Sequence, residues 1–269
     1  MYDQLPLLKI TINPAKMDQM IGKHIVRLQH VDSTNNYANG QLSENTIHDG
    51  TVVLAYEQSS GRGQMKNFWE SESGKNLTFS IVVFPDFLEI RRQFMLSKVV
   101  TLGIYRALGK YVGKLSIKWP NDIYVDNKKL GGILIENSIM SNSIKSSVIG
   151  IGININQTEF QSNAPNPVSL KMLTNQQFDC GIVLSEILAA IDSYYSLLKA
   201  GEETRIDREF ISALYLLNEK HSFRSEQEEF EGEIIGVNEI GQLLIKKQNG
   251  KILHFHFKEV EFLNQGLIA

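Results

Sequence analysis

A chain of 269 residues, 42% of them hydrophobic, is long enough for one large domain with a small appendage and has ample material for a buried core. Its 27 lysines and arginines stand against 30 aspartates and glutamates, a formal charge of -3, which excludes the broad basic surface of a dedicated nucleic-acid binder. The single cysteine, Cys180, excludes an internal disulfide; beside Phe178 and Ile182 it reads as a buried inert thiol, and the cytosol is the expected compartment.

The first residues, Met1 to Ile12, are interrupted by Asp3, Gln4, Pro6 and Lys9 and do not read as a signal sequence. No uninterrupted apolar run is long enough to span a bilayer, so no membrane is expected as a partner. Strands are predicted at Thr51 to Tyr56, Leu77 to Phe84, Leu115 to Trp119, Ile123 to Val125, Leu130 to Ile135 and Ser147 to Ile155, where branched and aromatic residues cluster. Asp126-Asn127-Lys128-Lys129 has the chemistry of a hairpin turn, which makes the strands on either side antiparallel neighbours. Apolar residues at helical spacing fall at Phe94, Val99, Val100, Ile104 and Leu108, and again at Ile187, Leu188, Ile191, Tyr195 and Leu198; a third helix is expected from Ile206 to Leu217. This order implies an α+β layer, a mixed sheet with helices on one face. After residue 220 the pattern turns to short β-prone runs, Phe230 to Val237, Gln242 to Lys246 and Ile252 to Phe257, broken by Asn238-Glu239-Ile240-Gly241 and Gln248-Asn249-Gly250. Two domains follow, residues 1–220 and a β appendage of residues 221–269.

Three segments carry chemistry. Gln58-Ser59-Ser60-Gly61-Arg62-Gly63 follows a strand directly: Gly61 and Gly63 permit close backbone approach to a ligand, and Arg62 brings a planar fork suited to phosphate or carboxylate. Alone, the segment also reads as a surface turn with a solvated arginine. It is not a P-loop, because Gly74-Lys75 is followed by Asn76, and Gly150-Ile151-Gly152-Ile153-Asn154 lies inside a β-prone run without the third glycine of a dinucleotide fingerprint. In Lys118-Trp119-Pro120-Asn121-Asp122 a lysine ends an apolar strand that the proline stops; its ammonium can stabilise charge developing in a cleft, or can sit on the surface before a turn. In Asp32-Ser33-Thr34-Asn35, Ser33 or Thr34 reads as a helix N-cap, while the hydroxyls and the amide also suit a neutral, urea-like group. His254 and His256 alternate on one strand without a Cys or a third His, so they are expected to face solvent and no metal site is assigned.

Taken in order, these segments resemble the biotin–protein ligase family, whose hallmarks stand here as Asp32 to Asn35, Gln58 to Gly63, Lys75-Asn76-Leu77, Lys118 to Asp122, Lys129 to Glu136 and Gly150 to Asn156. The resemblance implies a mixed sheet backed by helices with a C-terminal SH3-like β-barrel. The Ser33 motif follows Met1 too closely for the N-terminal helix-turn-helix domain of some members, so a ligase-only form without DNA as a partner is expected. The implied reaction activates biotin with ATP and Mg²⁺ as an acyl-adenylate and passes the biotinyl group to a lysine of a biotin carboxyl carrier domain. By similarity Ser33, Thr34, Asn35 and Gln58, with backbone near Gly131 and Gly132, bind biotin; Lys118 and Arg62 are the catalytic cations; Gly61, Gly63, Trp69, Gly150, Ile153 and Asn154 surround the adenylate. Asp122 is expected to orient the Lys118 turn. Gln64-Met65-Lys66 replaces the family's further glycine and arginine alternation, and Lys66 is expected to supply a point charge there. A lipoate–protein ligase of the same superfamily is the alternative, and a non-catalytic sensor of the adenylate is a third reading that the charge disfavours.

Overall fold

The computed structural model describes residues 19–64, 67–161, 166–226 and 228–263. In chain order its first part holds β1 (Ile25–Val31), α1 (Thr34–Ser43), β2 (Val52–Gln58), β3 (Leu77–Val83), α2 (Phe94–Leu108), β4 (Leu115–Lys118), β5 (Asp122–Val125), β6 (Lys128–Met140), β7 (Ser143–Ile153), α3 (Leu170–Thr174), α4 (Cys180–Lys199) and α5 (Glu203–Ser212). The strands form one sheet in the order β1-β2-β3-β7-β6-β5-β4, parallel between β1 and β2 and antiparallel elsewhere. A second, five-stranded antiparallel sheet follows from β8 (Lys220–Ser225), β9 (Glu229–Val237), β10 (Leu243–Lys247), β11 (Ile252–Phe255) and β12 (Val260–Leu263), in the order β11-β10-β9-β8-β12. This is the mixed α+β architecture expected, with a C-terminal β-sheet domain.

Every residue of β3 is buried, because both sheet faces are covered. Phe79, Ile81 and Val83 join the main core with α2 and α4, whereas Val82 packs with Val53, Val148 and Ala38 of α1 on the opposite face. The expectation of helices on a single face is therefore corrected: α1 takes the other one. Gly103 lets α2 and α4 touch, since a Cβ there would lie 2.7 Å from the Ile191 backbone. By length and composition α4 is apolar enough to cross a bilayer (mean hydropathy 1.3), which Glu186 and Asp192 obscure in the sequence. Half of that stretch is buried here, and Asp192 accepts the N–H groups of Met20 and Ile21 at 3.1 and 2.8 Å.

Other differences have local causes. β1, β8 and β12 were not expected; β1 is an edge strand with only intermediate or exposed residues, so no apolar run marks it. The hairpin after β5 turns at Asp126, in the left-handed region at φ 50°, while Lys128 and Lys129 already belong to β6. α5 stops at Ser212, not Leu217, because the chain leaves to run beside β4: Ala213 accepts from the Ile117 N–H (2.8 Å) and Tyr215 donates to the Ile117 carbonyl (2.9 Å).

Lys98 is 2% exposed on α2, with its ammonium 2.7 Å from Asp207 of α5 and over the rings of Phe94 and Phe210. Removing one partner of such a pair strands a charge, whereas replacing the lysine with an apolar isostere does not. Asp207→Ala is expected to cost about 3 kcal/mol and Lys98→Met clearly less. Urea unfolding of the two variants checks this; the reverse order would remove the stranded-charge explanation.

Candidate active site

Directly paired residues of neighbouring strands share a face. One row of pairings crosses all seven strands of the large sheet: Leu28, Ala55, Thr78, Gly152, Gly132, Asp122 and Lys118. The next row holds Val53, Ser80, Gly150 and Leu134, and the row beyond it Val82, Val148 and Glu136. Val53, Val82 and Val148 lie under α1, so this is the face opposite the main core. Beyond the N-terminus of α1 the middle of the face is glycine, and a cavity of about 480 Å³ opens over it.

One end of the cavity is neutral and polar. Ser33 occupies the N-cap position of α1, but the expected side-chain cap is not made; Gln58, ending β2, accepts the Thr34 N–H through Oε1 at 2.8 Å instead. That use of Oε1 leaves the Gln58 Nε2 donors for the cavity. Ser33, Thr34 and Asn35 are all under 5% exposed. Ser80 Oγ lies 2.7 Å from Thr34 Oγ1 and 2.6 Å from Asn35 Oδ1, and Asn35 Nδ2 donates to Glu136 at 2.8 Å. Asn35 sits so close to the sheet that a Cβ on Gly150 would meet its Oδ1 at 2.4 Å.

The glycine loop folds back on itself. Trp69 donates its N–H to the Gly61 carbonyl (2.9 Å), Gly63 donates to Asn67 (2.7 Å), and Arg62 bridges Phe68. A Cβ on Gly61 would lie 2.3 Å from the Trp69 carbonyl oxygen, so this glycine is required by the hairpin itself. The Trp69 ring rests on Gly152, where a Cβ would meet ring atoms at 2.3–2.6 Å, and its buried Nε1 has no partner among the described residues. Arg62 donates through Nη2 and Nη1 to both oxygens of Glu136 (2.6 and 3.2 Å) and through Nη1 to Asn36 (2.8 Å). Met65 and Lys66 lie outside the described residues, and with them the role expected of Lys66.

The other end is cationic. Lys129 Nζ lies 2.8 Å from Asp122, and Gly132 makes room for this pair. Lys118 Nζ sits 4.8, 5.8 and 5.0 Å from the ring centres of Tyr124, Tyr215 and Phe262, the last from β12 of the C-terminal sheet. Burial, opposed in part by Asp122, lowers the Lys118 pKa from the ordinary lysine value. Trp119 fastens the C-terminal sheet from the same strand end, donating Nε1 to the Gly241 carbonyl at 2.9 Å. Phe257, Val260 and Phe262 of that sheet complete the cavity wall.

The cavity thus gathers Ser33, Thr34, Asn35, Gln58, Arg62, Gly63, Trp69, Lys118, Gly132 and Gly150. Gly61, Gly131, Ile153 and Asn154 are not on its wall. Gly131 and Ile153 are a pair facing the core, where a Cβ on Gly131 would strike Ile153 Cδ1 at 2.5 Å. Asn154 is buried and holds the Val168 carbonyl through Nδ2 at 3.1 Å, with Oδ1 unpartnered among the described residues. Cys180 lies away from the cavity, and burial pushes its thiol up to about 11, in keeping with an inert group. His254 is exposed, and His256 pairs with Gln242 at 2.8 Å.

A family model described as the biotin/lipoate A/B protein ligase family matches residues 28–154, the span that builds this face. The biotin–[acetyl-CoA-carboxylase] ligase of Paracoccus denitrificans is 28% identical over 231 residues, covering 83% of this chain and 95% of that protein. The bifunctional ligase/repressor BirA of Bacillus subtilis is 28% identical over 236 residues, 86% of this chain and 72% of the relative. Among solved structures, the biotin protein ligase of Aquifex aeolicus in complex with biotin and ATP superposes with a TM-score of 0.76 at 28% identity, over 90% of this chain and all of that one. These likenesses support a member of the biotin protein ligase family, and the named relatives are ligases.

Within this site, Lys129, Ser80 and Glu136 were not assigned roles from the sequence. Lys129 and Glu136 stand in the Lys129 to Glu136 motif, and alternation from Gly132 through Leu134 to Glu136 places all three of those residues on one face. Ser80 gave no signal inside its apolar strand.

The lowered Lys118 pKa has a defined consequence. At neutral pH the lysine is charged both folded and unfolded, so the cost of burying the charge is present; it is relieved as pH rises through the folded pKa toward the ordinary value. Lys118→Met is expected to match or exceed the parent in Tm at neutral pH, with the difference shrinking above pH ~10. A lower Tm that persists at high pH would contradict this.

Proposed function

We propose that the protein is a biotin–protein ligase that forms biotinyl-5′-AMP from biotin and ATP and transfers the biotinyl group to a lysine of a biotin carboxyl carrier domain. The observation that carries the reading is the polarity of the cavity: a neutral end built from Ser33, Thr34, Asn35 and Gln58, with Arg62 held on Glu136 beside it, a glycine floor, and a cationic end with Lys118 and Lys129. The neutral end suits the ureido ring. Each of its buried groups left unpaired by a ligand without a urea costs about 1–3 kcal/mol. The dithiolane of lipoate offers no such partners, so the lipoate alternative is not favoured.

Adenylation brings a carboxylate against a phosphate, and two like unit charges 4 Å apart repel by about 4 kcal/mol at an effective dielectric of 20. In this proposal Lys118 and Lys129 offset that repulsion where the carboxylate oxygen attacks the α-phosphate and pyrophosphate leaves. The fork of Arg62 positions the phosphates. Trp69, on the Gly152 floor, offers a flat apolar wall to the adenylate, and Asn154 acts through the chain at Val168 instead of by contact. The carrier lysine then attacks the acyl carbon and AMP leaves. No group of three or more His, Cys, Asp or Glu residues that could hold a metal occurs among the described residues. Asp122, engaged by Lys129, and Glu261 of β12, engaged by Arg224, are the carboxylates on the cavity wall among the described residues. Mg²⁺ held chiefly by the triphosphate, with few protein ligands, fits such a site and would screen its charge. The division into a catalytic domain to residue 220 and a C-terminal domain, and the cytosol as compartment, belong to the same proposal.

The test is to incubate the full chain with ATP, Mg²⁺, biotin and a carrier domain and to follow lysine modification by mass. A biotinyl adduct is expected with biotin and none with lipoate; modification by lipoate alone would overturn the reading. Lys118→Ala is expected to slow biotin-dependent pyrophosphate release at least tenfold, with biotin affinity largely kept. An unchanged rate at saturating substrates would remove Lys118 from the reacting centre.

A further inference from the structure

Glu136 touches both the neutral end of the cavity and the glycine loop. Its Oε1 receives Arg62 Nη2, and its Oε2 receives Arg62 Nη1, Asn35 Nδ2 and, at 3.4 Å, Asn39 Nδ2. A carboxylate only accepts hydrogen bonds, so Asn35 must turn its Nδ2 toward Glu136 and its Oδ1 toward Ser80. Ser80 has one hydroxyl proton and lies within hydrogen-bond distance of both Asn35 Oδ1 and Thr34 Oγ1. Since Oδ1 can only accept, Ser80 donates to it. Ser80 must then accept from Thr34, whose single hydroxyl proton is spent on Ser80. The oxygen of Thr34, on the cavity wall, is left to the ligand as an acceptor.

We propose that Glu136 is a positioning residue which, through Asn35 and Ser80, fixes the proton direction of this buried chain, so that Thr34 admits a ligand N–H and rejects an acceptor in its place. The inference rests on the biotin reading of the site and adds the residue that sets its selectivity for a ring N–H. Ser80 at 0%, Asn35 at 3% and Thr34 at 4% exposure are buried, and the Glu136 side chain, 29% exposed, anchors the outer end of the chain. Water therefore has little room to reorient the chain. An amide in place of the carboxylate can offer either end to Asn35, and both proton directions become available.

Calorimetry of biotin and of a cyclic carbamate analogue, in which one ring N–H is replaced by oxygen, tests this on the full chain. The parent is expected to bind biotin more tightly than the carbamate by on the order of a hundredfold or more, as expected where a buried acceptor is left facing an acceptor. In Glu136→Gln that ratio is expected to fall to about tenfold or below with Tm little changed, and Glu136→Asp to recover part of it. Ser80→Ala cuts the chain one link further on and is expected to lower the ratio in the same way, which serves if Glu136→Gln does not fold. A ratio in Glu136→Gln or Ser80→Ala equal to the parent's, whatever the loss of overall affinity, overturns the proposal, because a merely structural carboxylate would weaken both ligands alike. A parent that binds neither ligand overturns the functional reading itself, a result distinct from an unchanged ratio.

Discussion

The pairing of Gly132 with Gly152 across β6 and β7, with Gly150 one rung away, clears side chains from the middle of a sheet whose other face carries the core. Alternation does the rest: on β7 the glycines face the cavity while Ile149, Ile151 and Ile153 are buried in the main core. The same short stretch therefore anchors the fold and opens the site. Asn35 and Trp69 approach the sheet at distances that any Cβ would forbid, so the neutral end and the loop both take their positions from backbone, not from flexible side chains.

Glycine inside a strand costs roughly 0.5–1 kcal/mol relative to alanine, and three of them in one patch weaken the sheet locally. Covering both faces offsets this. α2 and α4 press the main core on one side, and α1 with Val53, Val82 and Val148 closes the other. The C-terminal sheet contributes by packing: Phe223, Phe230, Phe255 and Phe262 form its aromatic centre, and Phe262 also reaches Lys118. The charge at the cationic end of the cavity is thus tied to the C-terminal sheet by ring contacts and by the Trp119 hydrogen bond to Gly241.

Much of this was legible in the sequence wherever a local rule carried the information. The alternation of glycine and isoleucine from Gly150 to Ile153 marked a strand, the spacing of Ile187 to Leu198 marked a helix, and the motifs at Ser33, Gln58 and Lys118 converged on one cavity. What stayed hidden depended on partners distant in the chain. That Gln58 and not Ser33 caps α1, that Arg62 rests on Glu136, and that Asn154 and Ile153 serve the chain and the core instead of the cavity follow from strand register, which periodicity does not supply. Ser80 is polar in an apolar strand because the rung beside it is Gly150 and the group above it is Asn35.

The glycine floor sets where the side chains around the cavity stand. Gly150 tests this most directly, since a single methyl there would overlap Asn35 Oδ1 at 2.4 Å while the strand's other face is untouched. Biotin affinity of Gly150→Ala, measured by calorimetry beside its Tm, is expected to fall on the order of tenfold or more with the fold retained. Parental affinity in that variant would contradict the claim and place the binding determinants elsewhere.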